Sequence, residues 1–416
     1  MMMTGTASGL MMWMVHPVVT RALPTSEYGV FATLMQMLAI MSIPACGLQS
    51  VIAQQQAAAI TEEKQRIVAS EFRGVLRALF FVWLVMASAT AFFWKPAVAA
   101  LKIQNPMALV VTVVIGLAAL WMPLTQGILQ GRQNFLWLGW MNILNAIGRV
   151  GLVCIVVVVF HCRVAGAMTA VLFGMFLVIF PGFCQVRDIW KMERTGVQWR
   201  NWLGRVIPLT LGLGAANFML TADMVFTQKF FPASQTGFYA VAGLVGRALI
   251  FATQPMALVM FPKLARAKAT GEKSHAQDLA LGATVLVGCC AAIACTILPW
   301  LPPLITGGER YLAAAPLVPW FAWCMLPLAV SQIMVNSLMA RSRFAAVPWL
   351  IMVAAGYGFA LSKVGHHWGN MADAFAGFRA MIQTIGVFNL LLFGVCALFT
   401  WGKKERGKKT EAALVQ

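Results

Sequence analysis

Apolar runs of about 20 residues follow one another along almost the whole chain, each long enough for a helix to cross a hydrocarbon core about 30 Å thick. Backbone in hydrocarbon must satisfy its own hydrogen bonds, and runs of this length can do so as helices. The pattern predicts an all-α polytopic membrane protein and excludes a soluble globular enzyme. Composition agrees, with 60% hydrophobic and 11% charged residues, where soluble domains carry about 25% charged. Twelve spans are predicted, at roughly 3–21, 28–58, 76–94, 107–129, 137–160, 164–184, 206–229, 237–261, 279–299, 313–337, 345–361 and 375–400. The first, within MMMTGTASGLMMWMVHPVVT, is the least apolar, and it lacks the basic start and cleavage site of a signal peptide.

The formal net charge of +18 acquires a meaning once it is located along the chain. Alternate loops divide the basic residues unevenly. One set holds 21 of them, including Arg73, Arg132, Arg187, Arg194, Arg266, Arg341 and the tail from Lys403 to Lys409. The other set holds seven: Arg21, Lys95, Lys102, Arg163, Lys229, Arg310 and Lys363. The positive-inside rule places the first set, with the C-terminus, in the cytoplasm. The charge is therefore a topology signal with anionic membrane lipid as a second partner, and no nucleic acid is expected. The nine cysteines lie mostly within spans and lack metal or CxxC spacing. No metal and no cofactor are expected.

Two stretches of ten residues echo each other. LPTSEYGVFA from Leu23 and FPASQTGFYA from Phe231 share Pro24 with Pro232, Ser26 with Ser234, Gly29 with Gly237 and Ala32 with Ala240. Their offset of 208 residues is half of the 416-residue chain. Six predicted spans separate them, so both copies face the same way, as in transporters built from parallel repeats. The organisation that follows is an N-terminal six-helix lobe (1–184), a cytoplasmic linker (185–205) and a C-terminal six-helix lobe with a basic tail (206–416) around a central cavity. The linker, QVRDIWKMERTGVQWRNWLGR, is expected to be an interfacial helix with Trp190, Trp199 and Trp202 toward lipid headgroups.

With LPTSEYGVFA after a first helix, TGFYAVAGLVGRALIF at the second copy and MALVMFPKLARA beyond it, the chain resembles the polysaccharide-biosynthesis (O-antigen-type) flippases of the multidrug/oligosaccharidyl-lipid/polysaccharide (MOP) exporter superfamily. The resemblance covers the whole chain in topology and about sixty residues in motif. It implies movement of a polyprenyl-diphosphate-linked oligosaccharide from the cytoplasmic to the outer leaflet of the bacterial inner membrane by alternating access. It also implies other polysaccharide-assembly proteins as partners.

Ionisable residues inside a span are costly, which makes each one a candidate functional group. Arg149 lies near the middle of span 5, with Asn145 and Asn142 four and seven residues before it, on one helical face. A polar stripe of this kind must meet a partner helix or a wet cavity. One reading has Arg149 contacting the substrate diphosphate, for which a guanidinium offers paired donors; the other has it bonded to backbone carbonyls, locking two helices. Asp223 and Arg247 lie roughly 10 and 15 Å deep on consecutive antiparallel helices, counting about 1.5 Å per residue from the turn between them. A structural salt bridge is the first expectation for them. The alternative is that Asp223 takes a proton and frees Arg247 for substrate, although Asp223 lies off the face formed by Thr210, Gly214, Asn217 and Thr221. Arg379, a turn or so into span 12, and Asn217 complete the candidate substrate-binding set. Amides such as Gln49, Gln126, Gln130 and Gln254 offer neutral groups for sugar hydroxyls.

A membrane glycan polymerase or ligase would need acids, bases or a metal held against substrate, and the outer loops are short and poor in acids. A small-molecule efflux antiporter of the same superfamily is the closer rival. Cation exporters favour acidic cavities, whereas the groups within these spans are mainly arginines, which points to an anionic substrate.

Overall fold

The computed structural model describes residues 2–45, 47–196, 199–250, 276–369, 371 and 373–402. Every regular element among them is helical. In chain order these are α1 (Met2–Ala22), α2 (Thr25–Met41), α3 (Leu48–Ala58), α4 (Glu62–Phe92), α5 (Trp94–Ala100), α6 (Met107–Gly131), α7 (Phe135–Val153), α8 (Val164–Gln185), α9 (Asp188–Lys191) and α10 (Trp199–Phe230). The second half continues with α11 over 233–250, α12 (Ala276–Ile297), α13 (Leu301–Gly307), α14 (Val318–Ala340), α15 (Val347–Trp368) and α16 (Ala374–Trp401). Ten helical segments among the described residues are long and apolar enough to cross a membrane. The ten leave out α1, the least apolar predicted span, and α11, whose predicted span runs on past residue 250.

Polar residues set where several helices begin. Thr61 accepts a hydrogen bond from the Lys64 N–H ahead of α4, Asn134 caps α7, and the Asp373 carboxylate accepts from the Phe375 and Ala376 N–H groups ahead of α16. The predicted single span over 28–58 is two helices: α2 ends at Met41, a 3-10 turn covers Ile43–Ala45, and α3 starts at Leu48. Pro44 in that turn has no N–H to continue a helical ladder, which accounts for the break. The predicted span at 76–94 begins instead at Glu62, where Glu62 and Glu63 suit a helix N-terminus. Past Val153 the end of α7 loosens into a π-helical turn over Cys154–Val159.

In the N-terminal half α6 packs against α3, α4 and α8, and α7 lies between α1 and α8. In the C-terminal half α14 contacts α12 and α16, while α15 contacts α10 and α16. The halves meet along α2 and α10. Close approach there uses small residues: a Cβ on Gly47 would stand 2.9 Å from the Thr210 backbone nitrogen, and one on Gly214 would stand 2.5 Å from Ile43 Cγ2.

The linker differs from the expected interfacial helix. It holds one helical turn, α9, folded back onto the N-terminal half, and its last residues, from Trp199, already belong to α10. Arg73 of α4 is buried and donates to the carbonyls of Ile189 (3.2 Å), Met192 (2.7 Å) and Glu193 (3.2 Å). Arg132 holds both oxygens of Asp188 at 3.0 and 2.6 Å. Burial alone would raise the Asp188 pKa, but the hydrogen bond and charge of Arg132, with the N–H groups of Asp188 and Ile189, bring it below the ordinary value of 3.8. Trp190 and Trp199 are exposed as expected; Trp202 is buried and donates to Gln55 Oε1 of α3.

Candidate functional site

Arg247 and Arg149, both buried, sit in opposite electrostatic situations. Arg247 of α11 is 3% exposed, and its Nη2 donates to both oxygens of Asp223 of α10, at 2.7 and 2.8 Å. Its Nε reaches the Leu220 carbonyl at 3.3 Å. The Tyr239 hydroxyl donates to Asp223 Oδ2 at 3.1 Å, so the carboxylate accepts from two neighbours. This is the salt bridge expected from depth, and Asp223 is fully buried. A buried pair satisfied in this way neutralises Arg247 and leaves it little charge to offer a ligand.

Arg149 of α7 is 7% exposed and has no hydrogen-bond or ion-pair partner among the described residues; its Nε is buried and unsatisfied. The locking role, in which it bonds to backbone carbonyls, is therefore not what is found. Gly174 of α8 lets the two helices approach here, since a Cβ on it would lie 2.8 Å from the Arg149 backbone nitrogen. Asn145, one turn earlier, is also buried with an unsatisfied Oδ1. Asn142, a further turn back, accepts from Gln126 Nε2 of α6 at 3.2 Å, and Gln130 of α6 accepts from Gln49 of α3 at 3.3 Å. The interior of the N-terminal half thus carries a polar stripe whose charged member, Arg149, lacks a counter-group among the described residues. Leaving that cation unpaired costs at least about 2.5 kcal/mol by membrane-insertion scales, which a bound anion would offset.

The other expected site residues fall elsewhere. Arg379 is exposed on α16 and lies over the ring of Trp320, 6.0 Å from its centroid. So near a helix end, a long side chain reaches the interface without entering the interior. Asn217 is half-buried on α10, and its carbonyl accepts from Thr221 Oγ1 at 2.8 Å. Gln254 and the MALVMFPKLARA stretch lie outside the described residues.

Three participants are absent from the sequence-level site. Tyr239, inside the second motif copy, completes the Asp223 shell. His16 of α1 shares a hydrogen bond of 3.1 Å between its Nδ1 and the Tyr28 hydroxyl, bringing the first motif copy to the only histidine in a predicted span. Tyr357 of α15 is buried with its hydroxyl unsatisfied. The signal for Tyr239 was its spacing, eight residues from Arg247 in a helix and so on a neighbouring face; His16 and Tyr28 carry no comparable periodic mark.

Two helical halves joined along α2 and α10, with polar groups held inside apolar helices, describe a multi-pass membrane protein. The chain is similar over 96% of its length to a multidrug resistance MATE family transporter of the MOP superfamily in an inward-facing conformation, covering 97% of that chain at 11% identity and a TM-score of 0.70. It is similar over the same share to the lipid II flippase MurJ in an inward closed conformation, covering 87% of that chain at 12% identity and a TM-score of 0.71. A MOP superfamily transporter from Pyrococcus furiosus, whose reverse polarity of binding pocket suggests a different function for it, matches with 14% identity, a TM-score of 0.66, and coverage of 96% of this chain and 92% of that one. These likenesses define the fold. The family model described as polysaccharide biosynthesis protein matches residues 1–268, and the chain belongs to that family. No curated protein sequence matches it significantly.

Proposed function

We propose that this protein carries a polyprenyl-diphosphate-linked oligosaccharide from the cytoplasmic to the outer leaflet of the bacterial cytoplasmic membrane, with its C-terminus inside, for surface polysaccharide synthesis. The observation that carries this reading is Arg149, a buried cation without a partner among the described residues, beside Asn145 and Asn142. An anion supplied by the cargo would complete the guanidinium, and amides would meet sugar hydroxyls without adding charge. Arg247 is already neutralised by Asp223 and serves in this reading as architecture. Family membership and the MurJ-like fold support a lipid-linked cargo. The task is transport: the protein's work is to bind and release the cargo on opposite sides, with no bond made or broken.

The test is the amount of lipid-linked oligosaccharide on the cytoplasmic face in cells lacking the gene, and in cells carrying only Arg149→Ala. Accumulation in both supports the reading. A deletion strain with normal surface glycan and no accumulation moves the assignment to small-molecule efflux.

A further inference from the structure

Seven basic residues sit on the side of the chain that the charge bias assigns to the outside, where basic residues are disfavoured. Three of them make the same kind of contact. Arg21, in the last turn of α1, donates from Nη2 to the Ile305 carbonyl at 3.1 Å. Arg310, after α13, donates from Nη1 to the Leu23 carbonyl at 3.3 Å. Lys102, in the loop after α5, donates from Nζ to the Phe231 carbonyl. In each case donor and acceptor belong to different halves of the protein, and the exchange runs in both directions.

The acceptors have a common origin. Leu23 follows the end of α1, Phe231 the end of α10, and Ile305 lies in the last turn of α13. Carbonyls at helix C-termini lack an intrahelical donor and carry the negative end of the helix dipole, so cations suit them best. Neutral side chains reinforce the pattern: Thr20 donates to the Thr306 carbonyl at 2.6 Å, and Gln228 to the Leu101 carbonyl at 3.0 Å, again across the halves. Lys102 adopts a left-handed backbone conformation (φ 54°), a cost to a residue with a Cβ that is accepted where the side chain is aimed.

Three of the remaining outer basic residues behave differently. Lys229 and Lys363 lie over Phe230 and Phe359, next to them or one turn away on their own helices, and Arg163 pairs with Glu27 of its own half.

We infer that Arg21, Lys102 and Arg310 form a clasp: each caps a helix end of the opposite half, together they hold the halves shut at the outer end, and their release opens it. They are positioning residues for the transport cycle and touch no cargo. Opening moves the capped carbonyls into water, which replaces the lost bonds and keeps the two states close in free energy. The inference rests on the transport reading only for what the opening releases.

Hydrogen–deuterium exchange of the full-length protein in lipid nanodiscs tests it, read on peptides spanning 20–34 and 231–240. Lys102→Met, and Arg21→Gln with Arg310→Gln, are expected to speed exchange there roughly tenfold, the effect of one charge-assisted bond. Lys102→Arg should restore the wild-type rate, because any donor of that reach caps the carbonyl, whereas a merely misfolded loop would not be rescued. Lys95→Met and Lys363→Met should change nothing. Unaltered exchange in the clasp variants, or an equal rise in the two controls, overturns the clasp. Exchange is measured without cargo, so a clasp that opens on cue in a strain showing no glycolipid accumulation would retain this inference and discard the cargo.

Discussion

Gly29 and Gly237, the matching glycines of the two motif copies, pack against each other where the halves meet: a Cβ on Gly29 would lie 3.1 Å from the Gly237 backbone nitrogen, and one on Gly237 would collide with the Thr25 carbonyl. Thr25 in turn donates to the Ser234 carbonyl at 3.1 Å. The echo in the sequence marks a place where the two copies touch, and glycine is required because backbone, which cannot rotate away, fills the space. Gly237→Ala should cost about 1–3 kcal/mol of stability, the usual price of overpacking. The check is the thermal unfolding midpoint of the full-length protein in detergent, compared with Gly394→Ala, where a Cβ meets nothing within 4 Å. Equal midpoints would mean that the contact is loose.

What could be seen in the sequence followed from local spacing. Asn142, Asn145 and Arg149 are three to seven residues apart, so the helical repeat alone puts them on one face, and the structure keeps Asn145 and Arg149 buried. Asp223 and Arg247 are found together because two antiparallel helices joined by a short turn leave few options. Contacts between distant segments leave no such mark. Arg73 binds carbonyls 116 to 120 residues away, and nothing periodic in KMERTGVQW announces it. The surroundings of Arg379 were not legible for a related reason: position within an apolar run gives depth, whereas the side chain's reach toward Trp320 decides its surroundings.

Arg149 predicts an unusual pairing of effects. Removing a buried cation that lacks a partner among the described residues should leave stability unchanged or raise it, so Arg149→Met is expected in the membrane at wild-type abundance or above while transport is lost. Arg149→Lys should recover transport only in part, since an ammonium cannot present two donors in a plane. Abundance by immunoblot and glycolipid accumulation in the same cells decide it. Loss of both together would mean that Arg149 holds the helices.

Asp223 and Arg247 predict the reverse. Asp223→Ala strands a buried guanidinium and should cost about 3–5 kcal/mol, visible as loss of membrane-inserted protein. Asp223→Leu combined with Arg247→Met removes both charges, and abundance should return. Transport in that double variant separates the roles: activity would make the pair architectural, whereas inactivity at full abundance would restore Arg247 to the cargo path.

The contact between Arg132 and Asp188 makes a prediction about pH. The Asp188 pKa is lowered in the folded protein: burial works against ionisation but is outweighed by the hydrogen bond and charge of Arg132 and by two backbone N–H groups. A carboxylate whose folded pKa lies below its unfolded value contributes stability above the ordinary value of 3.8, and that contribution is lost as pH falls through the lowered pKa. The linker should therefore stay fixed to the N-terminal half across neutral and mildly acid pH. Because the Asp188 side chain is 48% exposed, solvent screening keeps the effect small. Asp188→Asn removes the charge at every pH, so trypsin at neutral pH should cut after Arg187, Lys191 or Arg194 faster in this variant than in wild type. Equal cleavage would leave the carbonyl clamp of Arg73 as the main anchor, and Arg73→Met, which frees three carbonyls at once, would then be the variant that releases the linker.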